Sequence, residues 1–223
     1  MASPRQSKEK QPKEIRPQPR LYLVAPAAAD IGALKLELMA ALDSADVAAV
    51  LLRLPQEDER ALTNRVKALA PTVQNFGAAL IVDGHPGIVA RGGADGAHLS
   101  GITAFEDVVG SLKPDRIAGA GRLETRHDAM LAAERGADYV MFGEPDENHQ
   151  RPALEAILER VSWWAEVFQS PCVGYAANAE EVSQLAQAGA DFVAVGDFVF
   201  SDPRGVGIAV KEAAEKLLLP ETA

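Results

Sequence analysis

Short apolar runs alternate with longer amphipathic stretches along most of the chain, from Leu21 onward. The runs are four to seven residues long and contain many β-branched residues, which is typical of buried parallel strands. The stretches between them place apolar residues at helical spacing, as at Leu34, Leu38, Ala41 and Leu42. This alternation predicts βαβ units, and therefore a parallel sheet covered by helices.

The number of apolar runs decides the architecture. The candidate strands are Leu21–Val24, Val47–Arg53, Ala78–Val82, Gly96–Leu99, Arg116–Ala120, Tyr139–Gly143, Cys172–Tyr175 and Phe192–Gly196. Eight parallel strands, each followed by a helix, form the closed (β/α)8 or TIM barrel. We predict one α/β barrel domain over residues 20–223, preceded by a disordered basic tail over residues 1–19. The tail has four prolines, and it has too few apolar residues for burial to offset the entropy of ordering it.

A Gly-Ala-Asp phrase recurs between predicted helices and strands. It occurs at Gly93–Asp95, Gly136–Asp138 and Gly189–Asp191, and Ala45–Asp46 is a reduced copy. Glycine permits the positive φ that ends many helices, and aspartate suits the turn before a strand. These turns belong to the N-terminal face of a barrel, where repeated features serve stability. We interpret the repeated aspartates as structural.

Charge and composition narrow the classes of partner. The net charge is −10, and the first 20 residues are basic, so the predicted barrel itself is strongly acidic. A basic surface is needed to bind nucleic acid, and none is expected on this barrel. The lone Cys172 cannot form an internal disulfide and suggests a reducing cytoplasm. Apolar stretches fall short of the roughly 20 residues that a membrane span needs, so we predict no membrane partner.

The candidate site lies at the C-terminal ends of the strands, where (β/α)8 barrels build their active sites. The charged residues and histidines expected there are Arg53, Asp83, His85, His98, Arg122, Glu124, Glu144, Asp146 and Asp197. Arg53 could hold a phosphate or carboxylate, or simply pair with Asp83. His85 and His98 near one carboxylate could form a metal or acid/base group. Alternatively, His98 is a strand-end histidine whose hydrogen bonds are made with the backbone.

Two further patterns concern helices. Trp163 and Trp164 fall in a helix predicted over Pro152–Gln169, where adjacent residues cannot both face the core equally. One of the two is therefore a candidate for a subunit interface in a homodimer. Asn178 followed by Glu181 predicts a helix start with a variant of the capping box.

Two segments resemble a known family. Leu80–Asp83 followed by Gly93–Leu99 is similar to an apolar strand ending in Asn-Asp and then Gly-Ala-Asp-Gly-Val-His-Leu-Gly, and Gly136–Gly143 matches that family's sixth strand. The family is thiamine phosphate synthase with its thiazole tautomerase relatives, and the resemblance extends from Leu21 to about Leu218. It implies a (β/α)8 barrel of thiamine biosynthesis. The family reaction joins hydroxymethylpyrimidine diphosphate to thiazole phosphate, with Mg²⁺ holding the diphosphate that leaves.

Several positions depart from the family pattern around the metal and the diphosphate. Arg53 is kept, but the diphosphate-binding lysine two residues later is replaced by Pro55. Asp83 matches the metal-binding aspartate, whereas the second metal carboxylate is replaced by Thr103. The serine after the fifth strand is Gly121. The resemblance therefore implies Mg²⁺, with Asp83 as its ligand, only if the family chemistry is retained.

The phosphate-binding loops also differ. The family's glycine pair after the seventh strand is Ala176-Ala177, and the serine after the eighth strand is Gly196, followed by Asp197. An added β carbon restricts the backbone, and an adjacent carboxylate repels a phosphate dianion. After the sixth strand, an acidic loop beginning at Glu144 stands where the family has phosphate-contacting groups. We expect phosphate affinity to be reduced.

The sequence therefore predicts a thiamine phosphate synthase-like protein with reduced or altered activity. Its ligand would be a small molecule, and a thiamine precursor is the first candidate. The predicted ligand-binding residues are Arg53, Asp83, Arg122, Ala176, Ala177, Gly196 and Asp197. One alternative is a non-catalytic barrel that binds a small molecule or regulates. The other is a divergent enzyme acting on another small molecule, with candidate catalytic residues Arg53, His85, His98, Arg122 and Glu144.

Overall fold

Eight parallel strands close into a barrel in the computed structural model, which describes residues 17–146 and 148–218. The strands are β1 (Arg20–Ala25), β2 (Val47–Leu52), β3 (Ala79–Asp83), β4 (Gly96–Ser100), β5 (Ile117–Gly121), β6 (Tyr139–Phe142), β7 (Cys172–Ala176) and β8 (Phe192–Val195). Each strand pairs with the next, and β8 pairs with β1, so no strand edge is left unpaired. The predicted barrel is confirmed, and each predicted strand agrees with the observed one to within one residue at either end.

Helices follow the strands and cover the barrel. They are α1 (Ile31–Ser44), α2 (Glu59–Gln74), α3 (Val89–Gly92), α4 (Ile102–Leu112), α5 (Arg126–Glu134), α6 (Leu154–Val167), α7 (Ala179–Ala188), α8 (Asp197–Phe200) and α9 (Val206–Lys216). The helix predicted around the two tryptophans is α6. Trp164 is buried, whereas Trp163 is partly buried with the Arg126 guanidinium 4.7 Å from the centre of its ring. A subunit interface at either tryptophan stays a prediction.

The strands separate two apolar cores, because alternate side chains of a strand point to opposite faces. The side chains inside the barrel are Tyr22, Val24, Ala49, Leu51, Ile81, Tyr139, Met141, Val173, Tyr175 and Ala194. The outward-facing side chains, such as Leu21 and Leu23, pack against the helices in the larger core. A buried tyrosine needs a hydrogen-bond partner for its hydroxyl, so the tyrosines inside the barrel bring polar chemistry beneath its mouth.

The Gly-Ala-Asp repeat has a structural role, as the sequence predicted. Each of its glycines has a positive φ of 76° to 98°. The carboxylates of Asp95, Asp138 and Asp191 each accept a hydrogen bond from a backbone N–H at the start of the preceding strand, at 2.7 to 2.8 Å. The repeat therefore ties neighbouring strands together at the N-terminal face of the barrel, opposite the expected site.

Two further predictions concern the N-terminal tail and the membrane. Most of the tail predicted over residues 1–19 lies outside the described residues, so its disorder stays a prediction. Within the described ranges, no helix has both the length and the apolar character required to cross a membrane.

Candidate functional site

A cleft of about 260 Å³, open to solvent, lies at the C-terminal mouth of the barrel. Its polar lining consists of Arg53, Asp83, His98, Ser100, Arg122, Glu144 and Tyr175. The closed sheet brings these residues together from six different strands and the loops after them, although they are spread over more than half of the sequence. This is the end at which (β/α)8 enzymes carry their active sites. Five of the predicted site residues therefore share one cleft, and their roles stay predictions.

The deepest polar contact of the cleft joins His98 and Glu144. His98 lies within β4, and Glu144 lies in the loop after β6. The distance between His98 Nε2 and Glu144 Oε2 is 3.1 Å, and the two side chains are only 2% and 8% exposed. The partners of the His98 ring are therefore the side chains of Tyr139 and Glu144, and a catalytic role for His98 stays a prediction. His85, the second predicted histidine, is exposed and does not line the cleft.

Two buried tyrosines extend this contact into the barrel. His98 Nδ1 lies 3.0 Å from Tyr139 Oη, and Tyr139 Oη lies 2.7 Å from Tyr22 Oη. Burial raises the pKa of both phenols, so both hydroxyls keep their protons. A charged His98 can donate from Nε2 to Glu144 and from Nδ1 to Tyr139, which in turn donates to Tyr22.

The charge of His98 reflects competing influences. Burial alone would lower its pKa, because a charged imidazolium is costly away from water. The Glu144 carboxylate acts in the opposite direction, with help from Asp83, while Arg122 lowers the value slightly. The net result is a pKa of His98 above its usual value. The pair can therefore hold a proton close to the cleft.

The His98–Glu144 pair depends on Gly121, at the end of β5. A β carbon at this position would lie 2.3 Å from Glu144 Oε2 and 2.4 Å from His98 Nε2, far inside the contact distance of non-bonded atoms. A side chain at position 121, such as the serine of the family pattern, would therefore require the Glu144 carboxylate and the His98 ring to shift from their observed positions.

Two arginines flank the pair at the rim. Arg53 Nε lies 3.9 Å from Asp83 Oδ2, and Arg122 Nε lies 3.8 Å from Glu144 Oε1. Both distances exceed a normal hydrogen bond, so these are loose ion pairs within a cleft of mixed charge. Arg122 also has a φ of +48°, and a bulky residue in this backbone region is characteristic of functional sites.

The backbone of the loop after β7 is bonded to an internal anion, Glu181, in the first turn of α7. The Glu181 carboxylate accepts hydrogen bonds from Ala177 N at 2.8 Å and from Arg151 Nη1 at 2.7 Å. The predicted capping box is therefore only half formed: the Asn178 side chain accepts from the N–H groups of Glu180 and Glu181, but Glu181 turns instead to Ala177 and Arg151. The backbone N–H at which the family pattern has its second glycine is thus already bonded to a carboxylate.

The other predicted residues of the phosphate-binding loops lie around this contact. Ala176 is buried at the end of β7, and Gly196 is buried beyond β8. A β carbon at Gly196 would lie 2.8 Å from Tyr175 Oη, so the glycine makes room for the tyrosine. Asp197 is exposed at the start of α8. This side of the mouth therefore presents carboxylates and a phenol.

The metal that the family chemistry implies finds few ligands here. Among the described residues, no group of three or more His, Cys, Asp or Glu side chains is placed to hold a metal ion. Glu144 is bonded to His98, and Asp83 faces Arg53. Mg²⁺ commonly binds one or two carboxylates together with substrate phosphates. Glu144 is 8% exposed and Asp83 is 29% exposed. Of these two carboxylates Asp83 is therefore the candidate ligand, and an Mg²⁺ ion there would take its other ligands from substrate phosphates and water.

Comparison with known proteins identifies the family. A family model described as thiamine monophosphate synthase matches residues 21–199. The chain belongs to this family. Its curated relatives include a thiamine-phosphate synthase of Rhodospirillum centenum, 39% identical over 197 residues that cover 86% of this chain and 95% of the relative. Another, from Hyphomonas neptunium, is 33% identical over 204 residues, covering 88% of this chain and 92% of that protein.

Solved structures agree on the fold of the family. The thiamine phosphate pyrophosphorylase from Pyrococcus furiosus superposes with a TM-score of 0.74 at 20% sequence identity, covering 90% of this chain and 96% of that one. The resemblance predicted from the Gly-Ala-Asp segments is therefore confirmed for family and fold.

Several residues at or beneath the site were not predicted from the sequence. Tyr22 and Tyr139 were missed, although both stand two residues before another inward-facing side chain, a spacing that could have revealed them. Arg151 and the anionic role of Glu181 were missed as well, because Arg151 lies in the loop before α6 whereas Glu181 lies in the first turn of α7. Tyr175 and Ser100 also line the cleft, and neither was among the predicted site residues.

Proposed function

We propose that this protein acts in thiamine biosynthesis on a small heterocyclic precursor that lacks a diphosphate. In this proposal the family coupling reaction is strongly reduced. The observation that carries the proposal is that the chain's own carboxylates occupy groups suited to hold a ligand's phosphates. The Glu181 carboxylate accepts hydrogen bonds from Ala177 N and Arg151, and the Glu144 carboxylate is hydrogen-bonded to His98.

The charge of the mouth supports this choice of ligand. Loops after strands seven and eight are a frequent phosphate site of (β/α)8 barrels, and backbone N–H groups give such sites their affinity. Here a phosphate would have to displace the Glu181 carboxylate, and Asp197 would repel it at close range. Each arginine at the rim already faces a carboxylate. An uncharged or cationic heterocycle meets none of these obstacles.

A specific observation favours a divergent enzyme over a purely binding protein. His98 and Glu144 form a buried imidazole–carboxylate pair, and the strained Arg122 points toward it. A pair of this kind can take a proton from a bound molecule and return it. In the proposal, Arg53 and Arg122 orient the ligand and His98 exchanges the proton. We further propose a cytoplasmic location, a homodimer, and no requirement for Mg²⁺ in ligand binding.

Turnover assays test the proposal. The purified protein is supplied with hydroxymethylpyrimidine diphosphate, thiazole phosphate and Mg²⁺, and thiamine phosphate is quantified beside an established synthase. We expect product to form at least about a hundredfold more slowly, as the loss of transition-state charge stabilisation typically causes. A rate equal to that of the synthase would overturn the proposal.

Variants at the rim separate the enzyme from the binding protein. Each unphosphorylated precursor is incubated with the protein, and its consumption is followed by chromatography. If the protein turns over a precursor, Arg122→Ala and His98→Asn should abolish that turnover while the protein stays folded. Thermal stabilisation by a precursor without any turnover would instead identify a binding protein.

A further inference from the structure

We propose that Glu144 serves as an internal anion at the base of the mouth, and that Gly121 is the specificity-determining residue that admits it. The base of the mouth is defined here by His98, Gly121 and Glu144. The inference rests on the function proposed above and specifies one part of the ligand. At this position the ligand presents a hydrogen-bond donor or a positive charge instead of a phosphate.

Gly121 has no side chain, and this leaves space for the His98–Glu144 pair. Both Glu144 oxygens and His98 Nε2 lie within 2.6 Å of where a β carbon would stand. The backbone of Gly121 is not in the left-handed region, so no conformational need requires glycine there. Contact with the pair is therefore the reason that a larger residue does not fit. A serine or alanine would push the Glu144 carboxylate away from His98.

Glu144 places a negative charge at the base of the mouth. Its carboxylate faces His98 on one oxygen and Arg122 on the other, at 3.1 and 3.8 Å. The pair is almost fully buried, so the negative charge is poorly screened by water. A phosphate entering the same space would meet a like charge and would find both cations already engaged. A ligand N–H could instead share the remaining lone pairs of the carboxylate.

Anion titrations test the inference without any thiamine precursor. The parent, Gly121→Ser, Glu144→Ala and the double variant are titrated with inorganic diphosphate by calorimetry. We expect each single variant to bind diphosphate at least about tenfold more tightly than the parent, equivalent to about 1.4 kcal/mol. The double variant should gain little beyond Glu144→Ala, because the serine acts by displacing a carboxylate that is already absent.

A matched control separates this effect from a general effect of added serine. Gly110 lies exposed in α4, and a β carbon there would meet no atom within 4 Å. Gly110→Ser should therefore bind diphosphate as the parent does. The imidazole signals of His98 provide a second readout: they should shift in Gly121→Ser and Glu144→Ala and stay in place in the control.

Unchanged diphosphate affinity in folded Glu144→Ala would overturn the inference, as would fully additive gains in the double variant. If Gly121→Ser does not fold, Glu144→Ala and the conservative Glu144→Gln decide the matter, since both remove the charge and leave β5 intact. Failure of the proposed function would show itself differently, as absent binding of the heterocyclic precursors. The two failures are therefore distinguishable.

Discussion

Replacing Glu144 with glutamine should change how the stability of this protein depends on pH. The substitution keeps the size of the side chain and a carbonyl acceptor, but it removes the charge next to His98. His98 is 2% exposed and Glu144 is 8% exposed, so solvent screens the pair very little. Asp83 and Arg122 also influence His98, and both remain in the variant.

The direction of the effect differs between the parent and the variant. In the parent the folded-state pKa of His98 is raised. The pair therefore contributes its full stability below about pH 6.5, the usual pKa of histidine, and loses it as pH rises through the raised value. In Glu144→Gln, the Glu144 charge no longer offsets the effect of burial, so the pKa of His98 falls below its usual value. The variant is then penalised increasingly as pH falls below about 6.5, because the unfolded chain binds the proton more readily.

The magnitude follows from the burial of the pair. Removing one partner of a buried ion pair costs about 3–5 kcal/mol, and this loss applies where His98 is charged in the parent. Where His98 is neutral in both proteins, the loss falls to that of one hydrogen bond, about 1 kcal/mol. The stability difference between parent and variant should therefore shrink from near pH 6 to near pH 9, by about 2 kcal/mol or more.

Urea unfolding of both proteins across this pH range measures the difference directly. Glu159→Gln is the matched control, because Glu159 is 72% exposed in its ion pair with Arg126. Exposed pairs contribute about 0–1 kcal/mol, so the control should follow the parent at every pH. A difference between parent and Glu144→Gln that stays constant or widens with rising pH would refute the account of a charged His98 held by Glu144.

Three further predictions concern other parts of the chain. Asp191→Ala should lower the free energy of unfolding by about 1–3 kcal/mol, because it leaves a backbone N–H of β7 without its acceptor. Urea unfolding measures this loss beside the control Asp46→Ala, whose carboxylate is exposed. Equal losses in the two variants would contradict the prediction. Trp164→Phe should cost a similar amount, since the buried indole donates a 2.7 Å hydrogen bond, and an unchanged melting temperature would count against it. Glu181→Ala should bind inorganic phosphate about tenfold more tightly, because the Ala177 N–H becomes available; calorimetry showing no gain would remove Glu181 as an internal anion.

Much of the fold could be predicted from local patterns. Each apolar run corresponds to a strand because a barrel strand is covered on both faces, so its residues stay apolar over the whole length. The Gly-Ala-Asp repeat could be recognised because the turn between a helix end and a strand start requires the same residue types each time. The repeat could not reveal the hydrogen bond that each aspartate accepts from a backbone N–H of the preceding strand, because a helix separates the two residues in the sequence.

The site could be predicted only as a set of strand-end residues. Closure of the barrel brings His98 and Glu144 to 3.1 Å, although 46 positions separate them in the sequence. The importance of Gly121 depends on atoms from two other elements, so a departure from the family pattern was visible but its consequence was not. The sequence predicted that the Glu181 side chain caps α7. Instead, its carboxylate is hydrogen-bonded to Arg151, which lies in the loop before α6.

The most direct test of the account compares one heterocycle with and without its phosphates. Hydroxymethylpyrimidine and its diphosphate, and likewise the thiazole alcohol and its phosphate, are titrated into the protein by calorimetry, with and without Mg²⁺. The account predicts that at least one unphosphorylated precursor binds more tightly than its phosphorylated form, and that Mg²⁺ leaves its affinity unchanged. Tighter binding of the diphosphate, strengthened by Mg²⁺, would contradict the claim that the mouth is occupied by the protein's own carboxylates.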